Sequence, residues 1–257
     1  MNIENFMLTG KKALVVGIAN ENSIAYGCAK AFKARGADLA ITYLNEKSKP
    51  YVEPLADELG ASIFMKCDVS KAGDLEEVFD EIRAKWEKLD IALHSIAFAP
   101  KEDLTGRLTD SSKDGFLIAV DVSCHSFIRM ARMSEPLMKN GGVLLTMTYY
   151  GSQKVVQHYN LMGPVKAALE SAVRYLAYEL GPGIRVNAIS PGPLQTRAAS
   201  GLKDFEKLLK LATKKAPSKS LVTVEDIGNA TAGLATDASK LITGEIIYID
   251  GGYNIVD

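Results

Sequence analysis

Tyr159 and Lys166 stand seven residues apart in the run YNLMGPVK. On a helix seven positions make about two turns and return both side chains to nearly the same face, so the spacing predicts a phenol and an ammonium acting as a pair. A phenol with an ordinary pKa of about 10 stays protonated near pH 7 and can donate a hydrogen bond to an oxygen gaining negative charge; a nearby ammonium favours the same chemistry. Buried tyrosines are commonly core residues with a satisfied hydroxyl, so the pair needs a crevice and a partner before it means catalysis. His94, His125 and His158 share no metal-ligand spacing, and Cys28, Cys67 and Cys124 are odd in number and far apart. Neither a metal site nor a disulfide framework is expected, and reduced, packed cysteines are.

The elements that must position the pair follow from apolar patterning. Runs rich in valine and isoleucine at residues 13–16, 38–43, 62–66, 91–95, 143–147, 185–189 and 245–249 read as seven strands. Between them, stretches such as 23–35, 75–86 and 163–180 carry apolar residues at intervals of three and four. This alternation predicts an α/β fold, a doubly wound parallel sheet of Rossmann type with helices on both faces. No linker, repeat or low-complexity tract divides the 257 residues, so a single domain, 1–257, is expected. The longest stretch without strand character, residues 191–222, follows the sixth strand. Ligands of such sheets sit beyond the carboxyl ends of the strands, so a short helical substrate lid is expected at about 193–220.

The turn after the first strand, GIANENSIAYG from Gly17 to Gly27, lacks GxGxxG but has little bulk where a pyrophosphate would meet backbone amides. Gly17 suits the turn, Ser23 could cap the helix and offer a hydroxyl to phosphate, and Ala25 and Gly27 suit close helix–strand packing. Asp68 and Val69 follow the third strand, where they could hold an adenine. Ser95, Ile96 and Ala97 follow the fourth, beside the expected ribose and nicotinamide. Together these positions trace a dinucleotide across the sheet edge. The second strand ends in Thr42-Tyr43-Leu44-Asn45, with neither an acid for a ribose 2′-hydroxyl nor an arginine for a 2′-phosphate, although Lys47 and Lys49 are near. NADH is the preferred reading and NADPH stays open.

These motifs together resemble the short-chain dehydrogenase/reductases, and within them the enoyl-acyl carrier protein reductases, marked by a tyrosine and a lysine separated by six residues with another tyrosine ten earlier. Tyr149, Tyr159 and Lys166 match the three positions. The resemblance extends from the Gly17 to Gly27 turn through SIAFAP at Ser95 to Pro100, RVNAISPGP at Arg185 to Pro193, and TGEIIYIDGGY at Thr243 to Tyr253. It implies hydride transfer to the β-carbon of a 2-enoyl thioester. Tyr159 would stabilise the enolate oxygen, Lys166 would orient the cofactor and Tyr149 would lie on the acyl side. It implies cofactor contacts at Gly17, Ser23, Ile24, Asp68, Val69, Ser95, Ile96, Ala97, Lys166, Pro193 and Thr196. Substrate contacts are implied at Ala99, Tyr149, Tyr159, Met162, Ala199 and Phe205, with Phe98 and Leu202 as further apolar candidates. Ala97 stands where many members have glycine, and Leu44 where a polar residue is common. A rival pair, Tyr150 and Lys154, has the spacing of four used by the larger ketoreductase branch. No serine precedes it at the required distance, about a dozen residues back, and the pair is expected in a loop.

Thirty basic against 31 acidic residues give a net charge of −1, so no global field favours nucleic acid or an anionic membrane. The start, MNIENFMLTGKK, lacks a basic segment followed by an apolar run, and no segment has the roughly 20 apolar residues of a membrane span; a cytoplasmic protein is expected. Lys203, Lys207, Lys210, Lys214 and Lys215 form a basic cluster that would attract an acidic acyl carrier protein; a solvated helix face with Asp204 and Glu206 is the competing reading. A homotetramer is implied by the resemblance. The alternatives are a reductase of the same family acting on a carbonyl and a non-catalytic nucleotide-binding regulator.

Overall fold

The computed structural model describes residues 3–194 and 205–256. Seven strands, β1 Lys12–Val16, β2 Asp38–Tyr43, β3 Ile63–Lys66, β4 Ile91–His94, β5 Gly142–Met147, β6 Ile184–Pro191 and β7 Ile246–Ile249, form one sheet. Every pairing is parallel, in the order β3-β2-β1-β4-β5-β6-β7. All seven expected strands are present, β2 at its expected bounds and the others with ends shifted by at most two residues; Ser95 lies beyond β4 and Pro191 closes β6.

Both faces of the sheet are covered, which is why its strands read as unbroken apolar runs. In β1, Leu14 and Val16 point to one core with α3 Asp74–Trp86 and α7 Met162–Leu180. Ala13 and Val15 point to the other, with α1 Ile24–Ala34 and α9 Val224–Ala235. The remaining helices are α2 Lys49–Glu58, α4 Lys101–Thr105, α5 Lys113–Val120, α6 Ser126–Ser134 and α8 Phe205–Lys215. A π-helical segment, Asp121–His125, joins α5 to α6. Gly27 packs α1 on α9 rather than on a strand: a Cβ there would lie 2.3 Å from the Val224 carbonyl oxygen.

The strand order reverses direction between β1 and β4, where one chain path runs outward through β2 and the other through β5. A crevice opens beyond the carboxyl ends of these two strands, the place where open α/β sheets take their ligands.

Candidate active site

Two cavities line that carboxyl edge and share Ser95, Ile96, Ala97 and Phe98. The first, of about 440 Å³, is bounded by Gly17, Ile18, Leu44, Asp68 and Val69. The second, of about 370 Å³, is bounded by Ile24, Tyr149, Tyr159, Met162, Lys166 and Pro193, with Ala99 and Leu104 also on its wall. The shared loop makes them one groove running from the ends of β2 and β3 to the ends of β4 and β5.

Gly17 joins the two loops at the groove's centre. Its φ is +116°, and a Cβ would lie 2.2 Å from the Ser95 carbonyl oxygen, so only glycine fits both the backbone and the close approach. Ser23 does not cap α1 with its side chain. Its buried Oγ instead accepts from the amides of Ala19 and Asn20, both at 3.0 Å, and holds the turn closed. At the far end Asp68 Oδ1 accepts from the amide and hydroxyl of Ser70, while the Val69 carbonyl accepts from Arg129 Nη1 at 2.9 Å. The 95–99 loop is anchored by Ser123 of the π segment, whose Oγ accepts from the Phe98 amide and donates to the Phe98 carbonyl. A bare turn, an anchored loop and a carboxylate in line fit an extended dinucleotide.

The Tyr–Lys pair meets in the second cavity by a route that differs from the expected one. Lys166 sits in the second turn of α7, but Tyr159 lies three residues before that helix begins. His158 and Asn160 take positive φ values of 66° and 35° around it. The Asn160 amide donates to the carbonyls of Leu104 (3.1 Å) and Gly106, and so ties this turn to α4. The Tyr159 ring packs edge-on against Tyr149, with centroids 4.9 Å apart. Behind it, Gly151 leaves room that a Cβ would fill, 2.5 Å from Tyr159 Cδ1.

Burial sets the protonation of all three groups. It pushes the Tyr159 phenol well above its ordinary range, with Tyr149 and Glu170 adding to the effect. Burial likewise raises Tyr149, with Tyr253 and Tyr150 contributing. Both phenols are therefore proton-bearing donors at working pH, and the buried Tyr149 hydroxyl has no hydrogen-bond partner among the described residues. Lys166, 4% exposed, is pulled down to about 8 by desolvation against the opposing effects of Cys124 and Glu170. It remains mostly charged at pH 7, and its Nζ donates to the Met147 carbonyl at 2.7 Å.

His94 is no ligand. It is fully buried and pushed down to about 3 by desolvation, with Lys166 adding to the effect. The Ser126 hydroxyl donates to the Val122 carbonyl at 2.7 Å, so it accepts from His94 Nε2 at 2.8 Å, and His94 Nδ1 accepts from Thr146. Among the described residues no cluster of His, Cys, Asp or Glu could hold a metal ion. The rival Tyr150 opens a short 3₁₀ turn instead of lying in an open loop, with the Lys154 ammonium over its ring, and it packs against Tyr253 away from the cavity walls. Thr196, Ala199, Leu202 and Lys203 lie outside the described residues, and Phe205 opens α8. Sequence reasoning missed Leu104, Asn160, Gly151 and the buried Glu170.

A Rossmann-type sheet whose carboxyl-edge groove ends at two phenols and a lysine is the arrangement of a nicotinamide-dependent reductase of the short-chain dehydrogenase/reductase class. The family model for enoyl-(acyl carrier protein) reductase matches residues 17–254. Among curated relatives, enoyl-[acyl-carrier-protein] reductase [NADH] 1 of Rhizobium meliloti is 47% identical, covering 97% of this chain and 92% of its own. Enoyl-[acyl-carrier-protein] reductase [NADH] FabI of Aquifex aeolicus is 46% identical over 97% and 93%. Of solved structures, the Anaplasma phagocytophilum enoyl-acyl carrier protein reductase in complex with NAD superposes with a TM-score of 0.93 at 46% identity, covering 97% of this chain and 96% of that one. The Bacillus cereus enzyme with NADP+ and indole naphthyridinone gives 0.95 at 41%, covering 98% and 99%. This chain belongs to the enoyl-acyl carrier protein reductase family.

Proposed function

We propose that the chain reduces the 2,3 double bond of trans-2-enoyl thioesters carried on acyl carrier protein, with NADH as donor, the last step of the fatty acid elongation cycle. The observation that carries this reading is the convergence of Tyr149, Tyr159 and Lys166 on the cavity that continues the dinucleotide groove.

NADH bound along the groove would supply the hydride for the β-carbon of the enoyl group. Gly17, Ser23, Ile24, Ser95, Ile96 and Ala97 would form its bed, Asp68 and Val69 would hold the adenine end, and Pro193 and Thr196 would close the nicotinamide end. The Lys166 ammonium would grip ribose hydroxyls. The Tyr159 phenol donates to the thioester oxygen as it becomes an enolate, a stabilisation that a desolvated site strengthens. The α-carbon then takes a proton that derives from solvent, and the enolate returns to the thioester. Tyr149, whose buried hydroxyl has no partner among the described residues, would serve the acyl side with Ala99, Met162, Ala199 and Phe205.

The same reading makes residues 1–257 one domain with a lid at about 193–220. Pro193 and Leu194 already line the cavity, and Ala212 and Ala216 of the α8 region pack on Tyr253 and Tyr150. It places the carrier protein's acidic surface against Lys207, Lys210, Lys214 and Lys215. It also makes the protein a cytoplasmic homotetramer, an assembly that would cover the exposed Tyr175 and Tyr178 of α7. Among the described residues no helix is long and apolar enough to cross a membrane.

The test is turnover of crotonyl and longer enoyl thioesters with NADH and with NADPH, followed by absorbance of the reduced nicotinamide. Oxidation of NADH with 2-enoyl substrates is expected. Turnover of 3-oxo thioesters alone would make the chain a carbonyl reductase, and tight NADH binding with no turnover would make it a regulator.

A further inference from the structure

Glu170 lies one helical turn beyond Lys166 on α7, 4% exposed, in a helix whose other buried positions are almost all apolar. A carboxylate taken this far from water needs donors, because an uncompensated buried charge costs several kcal/mol. Glu170 has two. Its Oε1 accepts from Thr148 Oγ1 at 2.7 Å and from Ser152 Oγ at 2.5 Å, two short O–H contacts on one carboxyl oxygen.

The two donors flank Tyr149, one residue before it and three after. Thr148 follows β5, and Ser152 ends the 3₁₀ turn Tyr150–Ser152. Between them, Gly151 is pressed so close to the start of α7 that a Cβ on Gly163 would lie 3.0 Å from its carbonyl oxygen. The segment carrying Tyr149 is thus fastened at both ends to the helix carrying Lys166, by one carboxylate.

We propose that Glu170 is a positioning residue for the enoyl reductase reaction, a two-point clamp that fixes the Tyr149 segment against α7 and so sets the Tyr149 phenol over the acyl side of the cavity. This rests on the function proposed above. Met147, which Lys166 uses, is paired with Ile189 of β6 and does not depend on the clamp. The clamp therefore acts on substrate geometry and leaves the dinucleotide bed alone.

The experiment compares wild type, Glu170→Gln, Glu170→Ala, Ser152→Ala and Thr148→Val, each alone and combined with Tyr149→Phe. Crotonyl and dodecenoyl thioesters serve as substrates, and NADH affinity is measured separately by fluorescence titration. Glu170→Ala should lose roughly 10- to 100-fold in kcat, the scale of a displaced reacting group, with NADH affinity within about threefold of wild type. Glu170→Gln keeps an oxygen acceptor for both hydroxyls and should recover most of that loss. Tyr149→Phe should cost much less in the Glu170→Ala background than alone, because the phenol is then already misplaced. Should Glu170→Ala fail to fold, Ser152→Ala and Thr148→Val carry the test and should lower kcat with NADH affinity retained. Wild-type kcat in the hydroxyl variants, additive losses with Tyr149→Phe, or a parallel loss of NADH affinity would overturn the clamp. Absence of enoyl turnover in the wild type would instead overturn the function on which it rests.

Discussion

The Lys166 ammonium donates to the carbonyl oxygen of Met147, the last residue of β5, at 2.7 Å. That bond uses one of three N–H donors and holds the cation at the lip of the sheet, beside Tyr149 and Tyr159 on the cavity wall. Desolvation lowers its pKa to about 8 from an ordinary 10.5. Between those values the unfolded chain keeps a proton that the folded chain has released, so this group makes folding stability rise with pH across the window. Wild type should therefore gain on Lys166→Met by on the order of 3 kcal/mol between about pH 7 and pH 10.5 in urea unfolding of the ligand-free protein. A constant gap would contradict a buried, charged Lys166. The same variant should also weaken NADH binding along with turnover.

On the proposed mechanism Tyr159→Phe removes one oxyanion donor, while the ring packing on Tyr149 stays intact. Turnover should fall by about 10² to 10³, with NADH affinity unchanged in a fluorescence titration. Because burial raises this phenol, the loss should be the same across neutral pH, with no ionisation of Tyr159 in the rate profile. A variant within threefold of wild type would remove Tyr159 from the chemistry.

Gly151→Ala separates activity from stability. The new methyl would meet the Tyr159 ring at 2.5 Å, yet φ at this glycine is not in the left-handed region, so the backbone accepts alanine. The expected result is a loss of about 10-fold or more in kcat/KM for crotonyl thioester with Tm within a few degrees of wild type. A full loss of fold, or undiminished activity, would contradict the packing of Tyr159 on Gly151.

These cases show where sequence is legible. The seven strands stand out because a parallel sheet buried on both faces needs apolar residues at every position, and Tyr159 and Lys166 stand out by type and spacing. Their geometry does not follow from spacing, because the bend at Tyr159 is made by His158 and Asn160, ordinary residues in left-handed conformations that carry no glycine signature. Ser23 matches the pattern of a helix cap, but in the folded turn its oxygen serves Ala19 and Asn20 instead. Glu170 is hidden for a similar reason: a glutamate in an amphipathic helix reads as its wet face until Thr148 and Ser152 are seen to meet it.

The basic residues of α8 give a salt-dependent expectation. Raising ionic strength from 0.05 M to 0.5 M should increase KM for carrier-linked enoyl substrate several-fold and leave a coenzyme A thioester less affected, since exposed charges are screened over about 10 Å at 0.1 M. Lys210→Glu with Lys214→Glu should abolish that difference. Equal salt responses for the two substrates would remove docking at α8.

The most direct test follows the hydride. With NADH deuterated at both C4 positions and crotonyl thioester as substrate, mass spectrometry and NMR of the butyryl product should place one deuterium at the β-carbon and a solvent-derived proton at the α-carbon. Deuterium at the α-carbon, or a product lacking deuterium altogether, would contradict the reaction assigned to Tyr159 and Lys166.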